Sequence, residues 1–165
     1  MEVSRDELAG IVDLFGALTR AELQDAAAEL AFKRDGAFEP EAFAADVEVA
    51  IRSYHLVEAP SAAVTVPKPD AAEDPDWLVP GPIAFPELPD DASDLPHILD
   101  VDDRAVDRPA VARAAEERFR ADAASAVDAG DPERLAELRD VSYELETWGS
   151  VDLSTLRSGL DSADE

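Results

Sequence analysis

Nine of the twelve prolines in this chain of 165 residues fall between Pro60 and Pro96. A proline inside a helix removes one backbone hydrogen bond and clashes with the preceding turn, so no long helix can cross that region. Residues before proline favour extended backbone. The chain is therefore cut into two helix-capable stretches flanking an extended middle. The expected fold class is mainly α. A three-helix winged-helix-like N-terminal unit with a small β-hairpin comes first, then a proline-rich extended segment, then a C-terminal helical hairpin. The expected divisions are 1–60, 61–103 and 104–165, folded together as one compact domain.

The first stretch reads as three helices. Ser4 with Glu7 and Thr19 with Glu22 have the spacing of capping boxes, in which each side chain satisfies a backbone N–H of the other residue. Leu8, Ile11, Val12, Phe15 and Leu18 form one apolar stripe. Leu23, Ala27, Leu30 and Ala31 form the next, and Phe43, Val47, Ala50, Ile51 and Tyr54 the third. Lys33 and Arg34 suit a helix C-terminus, Gly36 the stop after it, and Pro40 the first turn of the third helix.

In the middle, Leu56-Val57 with Val64-Thr65-Val66, and Trp77-Leu78-Val79, are short apolar runs that suit a hairpin. Pro67 to Asp76 reads as its loop. Phe85-Pro86, Leu88-Pro89 and Leu95-Pro96 then set an apolar residue before each proline, which suits a strip lying across the helices. A flexible linker is the alternative. Trp77, Ile83, Phe85, Ile98 and Leu99 weigh against it, being too apolar for a solvated connection.

In the last stretch, Val111, Ala115, Phe119, Ala123 and Val127 mark one helix face, with Pro109 at its start and Gly130 at its end. Asp131 and Pro132 open the next helix, whose buried face is Leu135, Leu138, Val141, Leu145 and Trp148. The short gap makes the two an antiparallel pair. Asp152 caps a last helix carrying Leu153, Leu156 and Leu160.

Charge enters next. Against 39 acidic residues stand 14 basic ones, of which two are lysine, for a net charge of −25. Such density opposes a compact state at low salt. A disordered acidic chain is one outcome. The apolar residues argue otherwise, because they recur at helical spacing and Leu, Ile, Val and Phe exceed the roughly 20% below which disorder is expected. The remaining reading is a folded protein adapted to concentrated salt, where the screening length falls to about 3 Å. An acidic, alanine-rich protein of ordinary habitat is the plainer alternative. Absent cysteine excludes a disulfide scaffold and a thiol enzyme. No apolar run reaches membrane-spanning length, so no membrane partner is expected. Met1 to Gly10 lacks a signal-peptide core, and a cytoplasmic location is the expectation.

Chemistry-bearing motifs are sparse. His97, Asp100, Asp102 and Asp103 cluster, but an EF-hand counted from Asp100 would need glycine at Ala105 and glutamate at Val111. His55 and His97 lie in no triad pattern, and no glycine loop has phosphate-cradling spacing. No catalytic residue, metal site or cofactor is expected, and the protein is read as no enzyme. An enzyme acting through His97 and its neighbouring carboxylates is the minority reading.

The order helix, helix, helix, hairpin is that of a winged helix, whose third helix enters the DNA major groove. Here that helix carries Glu41, Asp46 and Glu48 against Arg52 alone, which disfavours phosphate contact. DNA is thus the alternative partner and a protein partner the favoured one. The expected interaction surface comprises Arg52, Trp77, Phe85, Arg113, Arg118 and Arg120. Trp77 to Pro86 is free of acids, and the three arginines make one helix nearly neutral. The plainer reading of those arginines is pairing within the helix, Glu116 with Arg120 for example.

The segments DELAGIVDLFGALTRAELQDAAAELAFKR, LVPGPIAFPELP, DLPHILDVD, RFRADAASAV and VSYELETW together resemble a family of uncharacterised proteins from extremely halophilic archaea. The resemblance covers most of the chain. It implies a cytoplasmic archaeal protein and carries no functional residues with it.

Overall fold

A computed structural model describes residues 3–34, 36–65, 77–90, 92–99 and 104–163. It is mainly helical, with two small antiparallel sheets. The chain divides into two compact units, Met1–Asp107 and Arg108–Glu165. The proline-rich middle belongs with the N-terminal helices because its backbone is bonded to them.

In the first unit, helices α1 (Arg5–Phe15), α2 (Arg20–Lys33) and α3 (Pro40–Arg52) form where the apolar stripes place them. Both capping boxes are present, on Ser4 and on Thr19. Gly16 ends α1 with φ of 88°, a conformation glycine adopts without strain. Leu8, Ile11, Leu23, Leu30, Phe43, Val47 and Ile51 share one buried core. Helix α3 stops short of Tyr54, which the periodicity had placed on its apolar face. Tyr54 is fully buried but takes φ of 63°, turning the chain into the first strand.

Strand β1 (Leu56–Ala59) is followed by a 3-10 turn, Ser61–Ala63, and by β2 (Val64–Thr65). Strand β3 (Trp77–Pro80) pairs antiparallel with β1, Val57 opposite Val79, as the hairpin reading required. Leu18, between α1 and α2, exchanges two backbone hydrogen bonds with Leu78 and adds a third, one-residue rung on the other edge of β3. Strand β2 departs from expectation. It pairs with β4 (Ala105–Val106), a partner that no apolar run had marked. Val66 and the loop read from Pro67 to Asp76 lie outside the described residues.

The strip after β3 crosses α1. Asp6 accepts the Phe85 N–H through its carboxylate at 3.0 Å and the Glu87 N–H through its carbonyl at 3.0 Å. Gly10 of α1 makes the crossing close enough, since a Cβ there would stand 2.1 Å from the Glu87 carbonyl oxygen. The strip is thus bonded chain and not a linker over these residues. It does not stay extended throughout, because Leu95–Leu99 coils into a short helix, α4, that packs Leu95 into the core against α2.

The second unit holds α5 (Arg108–Ala129), α6 (Pro132–Gly149) and α7 (Ser154–Ala163). Asp131 caps α6 by accepting the Arg134 N–H, with Pro132 at the first position. Val111, Ala115, Phe119 and Ala123 of α5 are buried as their spacing predicted. Val127 is not. It is 46% exposed, and Ala126 takes the inward place one residue earlier. The 3.6-residue period explains this, because strict steps of four drift off the buried face by the fifth member.

Candidate interaction surface

Each residue marked for an interaction surface has a definite position. Arg52 is exposed on the last turn of α3. The other exposed positions of that helix are Pro40, Glu41, Ala42, Ala44, Ala45, Asp46, Glu48 and Val49. A face of alanine and carboxylate meets phosphate poorly. Arg20, at the start of α2, does not relieve it. Its guanidinium binds Glu48 at 2.9 Å and Glu58 at 3.4 Å. Burial depresses its pKa, but these two carboxylates outweigh burial and raise it overall.

Trp77 is corrected from surface to core. It is only 7% exposed, and the guanidinium of Arg104 lies over its ring at 4.7 Å. Arg104 also donates to the Ala17 carbonyl at 2.9 Å and forms a two-pronged ion pair with Glu22. Burial pushes the Glu22 carboxyl up, yet the Arg104 guanidinium and the Thr19 backbone and hydroxyl together hold it below its usual value. The acid-free stretch from Trp77 therefore has a structural cause. Trp77, Leu78 and Val79 are buried, and a carboxylate there would be desolvated.

Phe85 is where that stretch reaches solvent. Its side chain is 81% exposed, and Leu88 follows at 44%. Asp6 fixes the backbone beneath both, as described. A large apolar side chain held out on a bonded backbone loses little freedom when something covers it.

On α5, Arg113 is exposed. Arg120 pairs with Glu116 at 2.8 Å and Arg118 approaches Asp122 at 3.5 Å, both four residues apart on the helix. These are the pairings of the plainer reading, and each contributes about 0.2–0.5 kcal/mol.

One grouping escaped sequence reasoning. The Ser53 hydroxyl stands 2.7 Å from His55 Nδ1, and His55 Nε2 lies 3.9 Å from the Asp6 carboxylate. Asp6 and His55 are remote in sequence, and no local signal links them. The carboxylate distance exceeds that of a hydrogen bond. Asp6 already accepts the Phe85 amide, and the Ser53 hydroxyl reaches the Ala50 carbonyl. Ser53 and His55 are thus bonded at the end of α3, with the Asp6 carboxylate of α1 nearby.

His97 is exposed on α4, while Asp100, Asp102 and Asp103 lie outside the described residues. Among the described residues, no group of three His, Asp or Glu is placed to hold a metal ion. No helix among them is long and apolar enough to cross a membrane.

A mainly helical protein that displays a fixed apolar strip on an acidic chain is as far as the geometry goes. Its lineage comes from comparison: residues 6–165 match a family described as a family of unknown function, DUF7109, and the chain belongs to that family. No curated protein and no solved structure matches it.

Proposed function

We propose that this chain is a non-catalytic protein-interaction module of a regulatory kind, built on a winged-helix-like first unit and suited to the salt-rich cytoplasm of a halophilic archaeon. The observation that carries it is Phe85, 81% exposed on a strip whose amides are bonded to α1. Exposed aromatic side chains with little freedom to lose are typical anchors of protein contacts. The habitat is supported by the net charge of −25 and by a basic complement that is nearly all arginine.

The test is affinity capture from native lysate in molar KCl with the wild-type chain and with Phe85→Ser/Leu88→Ser. A stoichiometric partner that recurs with wild type and is lost with the variant supports the proposal. No recurring partner, or one retained by a folded variant, contradicts it.

DNA binding is the second reading, and the Leu18–Leu78 rung favours it. That rung, with β1 and β3 behind three helices, follows the strand order of winged DNA-binding domains. The carboxylates of α3 count against it. Footprinting in molar KCl with wild type and Arg52→Ala separates the readings, since a groove contact would show protection that the variant loses.

A further inference from the structure

Between α5 and α7 runs an apolar groove of about 400 Å³. Ala123, Ala124 and Gly159 keep it shallow-sided and small, while Val127, Leu156 and Leu160 supply its apolar bulk. It is open space in fact. A Cβ added at Gly159 would meet nothing within 4 Å. Val127, 46% exposed, gives the groove an apolar edge.

Its rim carries one charge of each sign, Arg120 and Asp128. They stand four residues to either side of Ala124, about 6 Å along the axis each way at 1.5 Å per residue. That placement is self-complementary. A two-fold axis through Ala124 sets Arg120 of one copy against Asp128 of the other, and does so twice. A foreign helix would need its own matched pair of charges at this spacing, whereas a second copy already has them.

We propose that two copies of this chain pair through the α5–α7 groove as an isologous dimer, the two α5 helices crossing at Ala124. Two-fold contacts of this kind use one patch twice. Small residues at the crossing let the helices approach closely, and crossing at an angle confines the contact to the residues nearest Ala124. The site also meets a requirement set by the charge. Chains of −25 repel one another, so a contact between copies needs arginine facing carboxylate, and here Arg120, bonded to Glu116 on its own helix, also faces Asp128 of the other copy. Arg120 keeps half of its side-chain surface in solvent despite its contact with Glu116. Screening of the remaining surface makes pairing stronger as salt rises.

Sedimentation velocity of the full chain across a KCl series tests this. Wild type is expected to sediment as a dimer in molar KCl and to dissociate as salt is lowered. Arg120→Asp and Asp128→Arg should each weaken dimerisation roughly tenfold or more, by setting like charges across the axis. The double variant Arg120→Asp/Asp128→Arg restores both pairs with their signs exchanged, and should recover the dimer. Gly159→Trp fills the groove and should give a monomer, with circular dichroism confirming that α7 remains helical. A wild type that is monomeric at every salt concentration overturns the proposal, as do single variants that dimerise like wild type or a folded double variant that fails to recover.

Discussion

The two units solve the same problem by opposite means. In the first, chain segments far apart in sequence are drawn together: Leu18 to Leu78, Asp6 to Phe85, Arg34 to Asp90, Glu22 to Arg104. In the second, sequence neighbours pack against one another, α5 on α6 and α6 on α7. Glycine shows the difference. Gly10 and Gly81 are pressed against backbone, with a Cβ at either meeting a carbonyl oxygen at 2.1 or 2.3 Å. Gly159 faces open space. Both units set an arginine inside: Arg104 organises three segments of the first, and buried Arg134 of α6 meets Asp122 of α5 in the second, while Arg118 and Arg120 pair along one helix. In a chain this acidic, a scarce arginine placed inside has structural consequence, and one spread along a helix has little.

Trp77 in the first unit and Trp148 in the second allow each to be followed by its own fluorescence, in variants that keep one tryptophan. The largest expected effect is Arg104→Ala. It strips Glu22, the Ala17 carbonyl and the Trp77 ring of a partner at once, and should cost the first unit about 3 kcal/mol, as breaking an inward ion pair does. The second unit's transition should not move. A common shift in both would break the contrast between them.

Gly10→Ala comes next. A methyl group cannot fit at 2.1 Å from backbone, so the strip must lift, at about 2 kcal/mol for overpacking. Its opposite is Gly159→Ala, which should stabilise α7 by about 1 kcal/mol, the helix-propensity gain where no neighbour objects. Denaturant titration checks both, and the contrast requires that their signs differ.

Acid gives a subtler comparison. The Glu22 pKa lies below the usual 4.5, so its contribution is complete above that pH and fades as pH falls through the lowered value. The stability gap between wild type and Glu22→Gln, read on Trp77 in molar salt, should therefore be constant near neutrality and close below about pH 4.5. A gap that widens in acid would contradict the assignment of Arg104 as the partner.

Legibility followed the same division. Helices were readable in both units because spacing and caps are local: Ser4, Thr19, Pro40 and Asp131 mark starts that the structure keeps. What pairs at a distance was not. Nothing near Ala105-Val106 announces a strand, since its two residues borrow their order from β2. Leu95-Pro96 looked extended, but proline is tolerated in a first helical turn, and α4 forms there. Trp77 was misplaced for a related reason. Freedom from acid marks both a working surface and a buried strand, and sequence does not separate them until the neighbours are known. Nothing in the sequence around Arg104 signals that its partner is Glu22. Phe85 lies exposed, and nothing local in the sequence points to its anchor, Asp6.

The strip from Phe85 to Leu88 is a preformed surface and not a connecting linker. Amide hydrogen exchange of the free protein in molar KCl tests it most directly, read at Phe85 and Glu87, whose N–H groups both donate to Asp6. Slowed exchange is expected at both amides in the wild type, with Phe85 protection lost in Asp6→Ala. Exchange at the rate of an unstructured chain in the wild type would contradict it.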